Sequence, residues 1–395
     1  MKSRKLFTVL AAALFALGLN YFIIEKWIPQ FSNLSTSAHS DTFSKKTNTI
    51  QVALLLDTSG SMNGLIEQAK SQLWQILNTL AKTERQGHET TLEIALYEYG
   101  NPTYTATQIH QLSPFTNDMD LISKKLFALS TNGGEEYCGE VITTAIKNLE
   151  WGTDDSNLKM IYIAGNEPFT QGPINYAEAC HLAKKQNIFI NTIFCGDYKE
   201  GVNGMWRQGA QLADGEYMNI NHNQTTVYIE TPYDKKIDEL NLQLNKTYIP
   251  YGNEGKVKKE NQITQDLNAS VYGKSNCADR AAFKCSKKYT ADSWDLVDAY
   301  AKDKNIINSA SGLPDSLQNI TSKELEIKIQ TTSSLRTAIK NQIQTLNNNR
   351  LIYIQNNSKE DAQGNNLKKS IEKSIQKQAK KKGFKVNEEQ FIIEN

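Results

Sequence analysis

At 395 residues the chain has room for two domains, or for one large domain with a tail. Its 44 Lys and Arg against 43 Asp and Glu leave a formal net charge of +1, so overall charge gives no argument for a nucleic-acid or acidic-membrane partner. A hydrophobic share of 39% allows a sizeable core early in the chain and a thinner one later, where Asn, Gln, Lys and Ser accumulate.

Lys2, Arg4 and Lys5 precede an apolar run from Leu6 to Ile24. Nineteen residues at ~1.5 Å each make roughly 28 Å of helix, about one bilayer core. The run exits into Tyr21, Phe22, Ile23, Ile24 and Glu25, a poor cleavage site, so residues 1–28 read as an uncleaved signal anchor rather than a cleaved signal peptide or a core helix. The basic flank stays inside, which predicts a single-pass inner-membrane protein with its main body in the periplasm or cell exterior. Residues 29–48, rich in Ser and Thr, read as a flexible tether.

From Thr49 strands and helices alternate. The continuous apolar run of Gln51-Val52-Ala53-Leu54-Leu55-Leu56 has the pattern of a strand buried on both faces of a parallel sheet. It runs into Asp57-Thr58-Ser59-Gly60-Ser61, and Leu65, Ile66, Ala69, Leu73, Ile76, Leu77 and Leu80 then recur at helical spacing. Further strands are predicted over 92–99, 106–111, 160–164 and 188–194 and near Tyr217, with helices over 119–129, from about 138 to 149, and over 176–185 and 206–213. This alternation predicts an α/β fold, a doubly wound and mostly parallel sheet with helices on both faces. Beyond about Thr231 the character becomes helical: 234–248, two helices within 276–301, a stripe of Leu335, Ile339, Ile343, Leu346 and Tyr353, and a last helix with Leu367, Ile371 and Ile375. Only Phe384–Val386 and Phe391–Ile393 carry strand signals. Residues 229–395 are expected to form a helical appendage, against the first domain or in an assembly.

Asp57, Ser59 and Ser61 put one carboxylate and two hydroxyls on a tight loop at a strand's carboxyl end, a donor set for Mg2+, Mn2+ or Ca2+. Strand, Asp-x-Ser-x-Ser loop and helix together resemble the opening of a von Willebrand factor A (VWA) domain, a likeness covering roughly residues 49–228. The phrases TNGGEEYCGEVI, AGNEPFTQGP and NTIFCGDYKEG also resemble loops of a bacterial membrane-anchored VWA group. In that family the loop begins a metal-ion-dependent adhesion site, completed by a Thr from a second loop and an Asp from a third. Here Glu135 stands where Thr is usual, and Gly165 where the Asp is usual. The resemblance therefore implies a modified divalent-cation site, with Mg2+ or Ca2+ held by Asp57, Ser59, Ser61 and Glu135. Glu135 would take the position that a partner's carboxylate takes in the family. Glu136, Tyr137, Asn166, Glu167, Phe169 and Tyr198 are expected around the partner-binding rim.

Of the five cysteines, Cys138 and Cys195 lie near this rim and are the candidate disulfide; Cys277 and Cys285, eight residues apart on one expected helix, are separated by roughly 12 Å, too far to pair. His88, His110, His181 and His222 show no ligand spacing, and Ser59 has no evident base, which counts against catalysis. The leading expectation is a binding module for a protein partner, not an enzyme. The alternatives are a metal-independent scaffold acting through its helical half and, last, an envelope hydrolase or thiol oxidoreductase.

Overall fold

The computed structural model describes residues 48–63, 66–85, 90–103, 108–220, 229–271, 273–357 and 367–386. The anchor, nearly all of the tether, His88, His222 and the 391–393 strand signal lie outside the described residues. Among those described, no helix is long and apolar enough to cross a membrane.

Six strands form one sheet. Their order is β4 (Ile109–Thr116), β3 (Thr90–Tyr99), β1 (Asn48–Asp57), β5 (Leu158–Gly165), β6 (Ile188–Cys195) and β7 (Tyr217–Ile220). Only β4 runs antiparallel. It lies at the edge, where Pro114 removes no hydrogen bond the sheet needs. A two-residue strand, β2 (Thr83–Glu84), stands apart and pairs with β8 (Lys385–Val386).

The period-2 alternation of β1 sorts its side chains onto two cores. Leu55 and Ala53 face α3 (Cys138–Asn148), α4 (Tyr176–Lys185) and α6 (Trp206–Leu212). Val52, Leu54 and Leu56 face the other side, where α1 (Ile66–Ala81) contributes Ile76, Leu77 and Leu80 and α2 (Met119–Phe127) contributes Ile122 and Leu126. A short helix, α5 (Tyr198–Asn203), follows β6; its residues carry no apolar stripe, and Asp197 caps it by accepting from the Lys199 and Glu200 amides.

The helical region packs against the sheet rather than standing off it, and residues 47–395 form one compact unit. Ile237, Leu240 and Leu244 of α7 (Asp234–Lys246) join the same cluster as the β1 side chains. So do Phe283 of α9 (Lys274–Cys285), Ile343 of α11 (Ser322–Asn357) and Ile371 of α12 (Leu367–Lys381). Two further helices complete the region, α8 (Gly255–Val271) and α10 (Leu296–Lys302). The sequence stripe on α11 holds at Ile339 and Ile343 but not at Leu335, which is exposed while the neighbouring Arg336 is buried. Arg336 forms a bidentate pair with Asp295, at 2.7 and 3.1 Å, and lies over the Tyr248 ring. A second ionic cluster joins Arg280 to Asp120 (2.8 Å) and Asp266 (2.5 Å), and Lys284 to Asp266 (2.9 Å), tying α9 and α8 to α2.

Candidate metal centre and its rim

Three loops meet at the carboxyl ends of β1, β3 and β5, the usual ligand-binding edge of such sheets. Asp57 ends β1 and is fully buried; its Oδ1 accepts the Ser59 amide at 2.7 Å. The Thr58 amide donates to the Tyr99 carbonyl (2.9 Å) and the Asn132 amide to the Thr58 carbonyl (2.9 Å), so the first loop is stitched to both neighbours. Ser59 and Ser61 hydroxyls lie 2.8 Å apart. The Ser61 hydroxyl donates to Asn166 Oδ1 at 3.0 Å and is 3.5 Å from Glu136 Oε1.

The second carboxylate is Glu136, not Glu135. The Glu135 amide is held by Gln108 Oε1 (2.7 Å), and its exposed side chain accepts from the Tyr137 hydroxyl. That arrangement turns Glu135 to solvent and the next residue inward, leaving Glu136 only 4% exposed. Glu135, expected as a ligand, is thus exposed, and Glu136, expected on the rim, is the buried carboxylate beside Asp57. Phe169 also leaves the rim: it is fully buried, packing on Trp206 with ring centroids 4.8 Å apart. Tyr137, Asn166 and Glu167 are partly exposed, and Tyr198 is exposed.

The expected Cys138–Cys195 disulfide is absent; both are free thiols. Cys138 belongs to the core on one face of the sheet and Cys195 to the core on the other, so the sheet itself separates them.

Three residues shape the space around Asp57. Gly165 has no room for the side chain usual in the family: a Cβ there would stand 2.5 Å from the Tyr99 hydroxyl and 3.1 Å from Asp57 Oδ2. Tyr99, donating to the Ala164 carbonyl at 3.0 Å, fills the space a third-loop Asp would need. Gly100, at φ +79°, lets the chain turn beside Asp57 and Glu136, where a Cβ would fall 2.9 Å from Asp57 Oδ1.

Burial pushes the Asp57 carboxyl up to about 6, although the Ser59 amide and hydroxyl pull the other way. Burial and then the charge of Asp57 push Glu136 up to about 8. The two titrate as a pair that keeps one proton near neutrality. Among the described residues Asp57 Oδ2 and Glu136 Oε2 are buried without a well-formed hydrogen bond, the two carboxyls lying against each other. Buried acceptors without partners are costly, and a cation between them would satisfy both. All the donors are oxygens, which fits a hard divalent ion. Among the described residues no three His, Cys, Asp or Glu side chains converge, so the site relies on two carboxylates supplemented by hydroxyl and amide oxygens.

A mostly parallel α/β domain with an oxygen-rich cluster at its strand ends defines the class. Residues 51–238 match the family model of the von Willebrand factor type A domain, and the chain carries a VWA domain. Similar solved structures include the conserved hypothetical protein BatB from Bacteroides thetaiotaomicron (18% identity, 44% of this chain and 90% of that one, TM-score 0.34). Another is an aerotolerance-related membrane protein from Bacteroides fragilis (16%, 44% and 92%, TM-score 0.30). A third is proximal thread matrix protein 1 from the mussel byssus, with a zinc-occupied MIDAS motif (11%, 46% and 43%, TM-score 0.34). No curated protein matches the chain.

Proposed function

We propose that the chain is a membrane-tethered binding module, not an enzyme, which engages a protein partner at the envelope through the face around Asp57. The buried Asp57–Glu136 pair, two carboxyls held against each other beside the Ser59 and Ser61 hydroxyls, carries this reading. Asp57, Ser59, Ser61 and Glu136 would hold a divalent cation, with Asn166 beside them. Such an ion supplies the positive charge that two adjacent buried carboxylates lack. Gly165 and Glu136 act together in this account: the second carboxylate enters from the second loop because Tyr99 has closed the third. The basic amino-terminal flank and apolar run support a single-pass anchor with the body exported.

Partner capture by the full chain in detergent tests the reading, run with Mg2+ or Ca2+, with EDTA, and with Asp57→Ala. Capture that requires the metal and is lost in the variant supports it; capture indifferent to both counts against it.

One observation favours a second reading, a scaffold acting through its helical half. Val257, Ile263, Leu267 and Val271 form an exposed apolar stripe along α8, Val271 being 81% exposed. EDTA-insensitive capture, lost on changing Leu267 and Val271 to Ser, would support that reading instead.

A further inference from the structure

The sheet has two electrically different ends. The carboxyl end carries Glu135, Glu167, Asp197 and Glu200 around the cation site. At the amino end the chain enters β1 at Asn48, whose side chain accepts from Arg85 Nη1 at 2.7 Å. β8 pairs with β2 beside it. Lys381 lies over the ring of Phe189, at the start of β6, and Lys382 donates to the Asp155 carbonyl at 3.0 Å. Lys380 and Lys385 are exposed nearby in sequence; the exposed acids at this end include Glu84, Glu150, Asp155 and Asp214, the last paired with Lys184. Burial and the charge of Lys382 hold the Lys159 amine below the ordinary lysine range. The positive charge is thus gathered at one end of the strands.

We propose that this amino-end face, presenting Arg85, Lys380, Lys381, Lys382 and Lys385, docks on an anionic lipid surface. The inference rests on the membrane-tether reading, because the residues preceding Asn48 lead back to the Leu6–Ile24 run. A random coil of that many residues has an end-to-end distance of about 25 Å. Basic side chains feel the potential of an anionic bilayer within about a Debye length, ~10 Å at ordinary salt. A body leashed at this end can therefore settle its lysines onto the headgroups, which turns the cation site toward the envelope space. An orientation set this way would leave the rim free for a partner.

Reconstitution of the full chain in nanodiscs tests this, comparing phosphatidylcholine discs with discs containing about one-third phosphatidylglycerol. The readout is the acylation rate of individual lysines. In anionic discs at low salt, Lys380, Lys381 and Lys385 should label about fivefold more slowly, and 0.5 M salt should restore them. Lys199, at the opposite end of the sheet, should not change. In Lys380→Glu/Lys381→Glu the difference at Lys385 should disappear. Equal rates in the two discs overturn lipid docking while leaving the cation site untouched. Failure to incorporate into either disc overturns the tether and, with it, this proposal.

Discussion

Asp57 and Glu136 are adjacent acids in a site that shields them from water, and their protonation is tied to stability. Both folded-state pKa values are raised, by burial first. A carboxyl whose folded pKa exceeds its unfolded one stabilises the fold below the unfolded pKa and loses that contribution as pH rises through the folded value. In the cation-free protein, melting temperature should therefore fall as pH rises from about 4.5, the ordinary glutamate value, to about 8, where Glu136 titrates. Mg2+ or Ca2+ should reverse the fall at pH 8, because the ion stabilises the ionised pair; thermal melts with and without metal check both signs. Glu136→Gln should flatten the metal-free profile. Gly165 gives a second test. Restoring the carboxylate usual in the family by Gly165→Asp should not improve binding. It drives a side chain into Tyr99 and Asp57, and overpacking of this kind costs about 1–3 kcal/mol. Chemical denaturation of that variant measures the loss.

Among the elements, α11 shows how charge replaces apolar packing at the centre of the helical region. Arg336 and Arg350 sit on its inner face, Arg350 reaching Asp234 (2.8 Å) and Asp279 (2.9 Å). Removing one partner of such a buried pair leaves an uncompensated charge, so Arg336→Ala should cost about 3–5 kcal/mol. Arg336→Met combined with Asp295→Asn should cost less than Arg336→Ala alone, and a double-mutant cycle would show it. The same arrangement explains which elements were legible in sequence. β1 and β5 contain continuous apolar runs and β6 is apolar apart from Asn191 and Thr192, so their positions follow from pattern. α8 was illegible because its pattern is inverted: Gln262 and Gln265 are buried, bonded to Tyr289 and Ser123, while its valines and leucine face outward. β4 runs to Thr116, past the expected 106–111 span, because an edge strand with register shifts tolerates Pro114.

At the scale of the whole molecule, the helical region completes one face of the sheet. Val52, Leu54 and Leu56 share a core with Ile237, Leu244, Ile343 and Ile371. A chain ending near residue 230 would expose that face, so it should lack the cooperative melting of the full protein. A cooperative, native-like melt for the shortened chain would contradict the shared core. Of the candidate site, only one loop was legible in sequence. Asp57, Ser59 and Ser61 could be read from one loop, whereas the choice between Glu135 and Glu136 depends on Gln108 and Tyr137, which capture the first and turn the second inward. Adjacent identical residues carry no sequence mark of which one faces in. The most direct measurement is calorimetric titration of Mg2+, Mn2+ and Ca2+ into the full chain, beside Glu136→Gln and Glu135→Gln. One cation should bind with sub-millimolar affinity, Glu136→Gln should weaken it at least tenfold, about 1.4 kcal/mol, and Glu135→Gln should leave it unchanged. Absence of binding, or equal weakening by the two variants, would contradict the account.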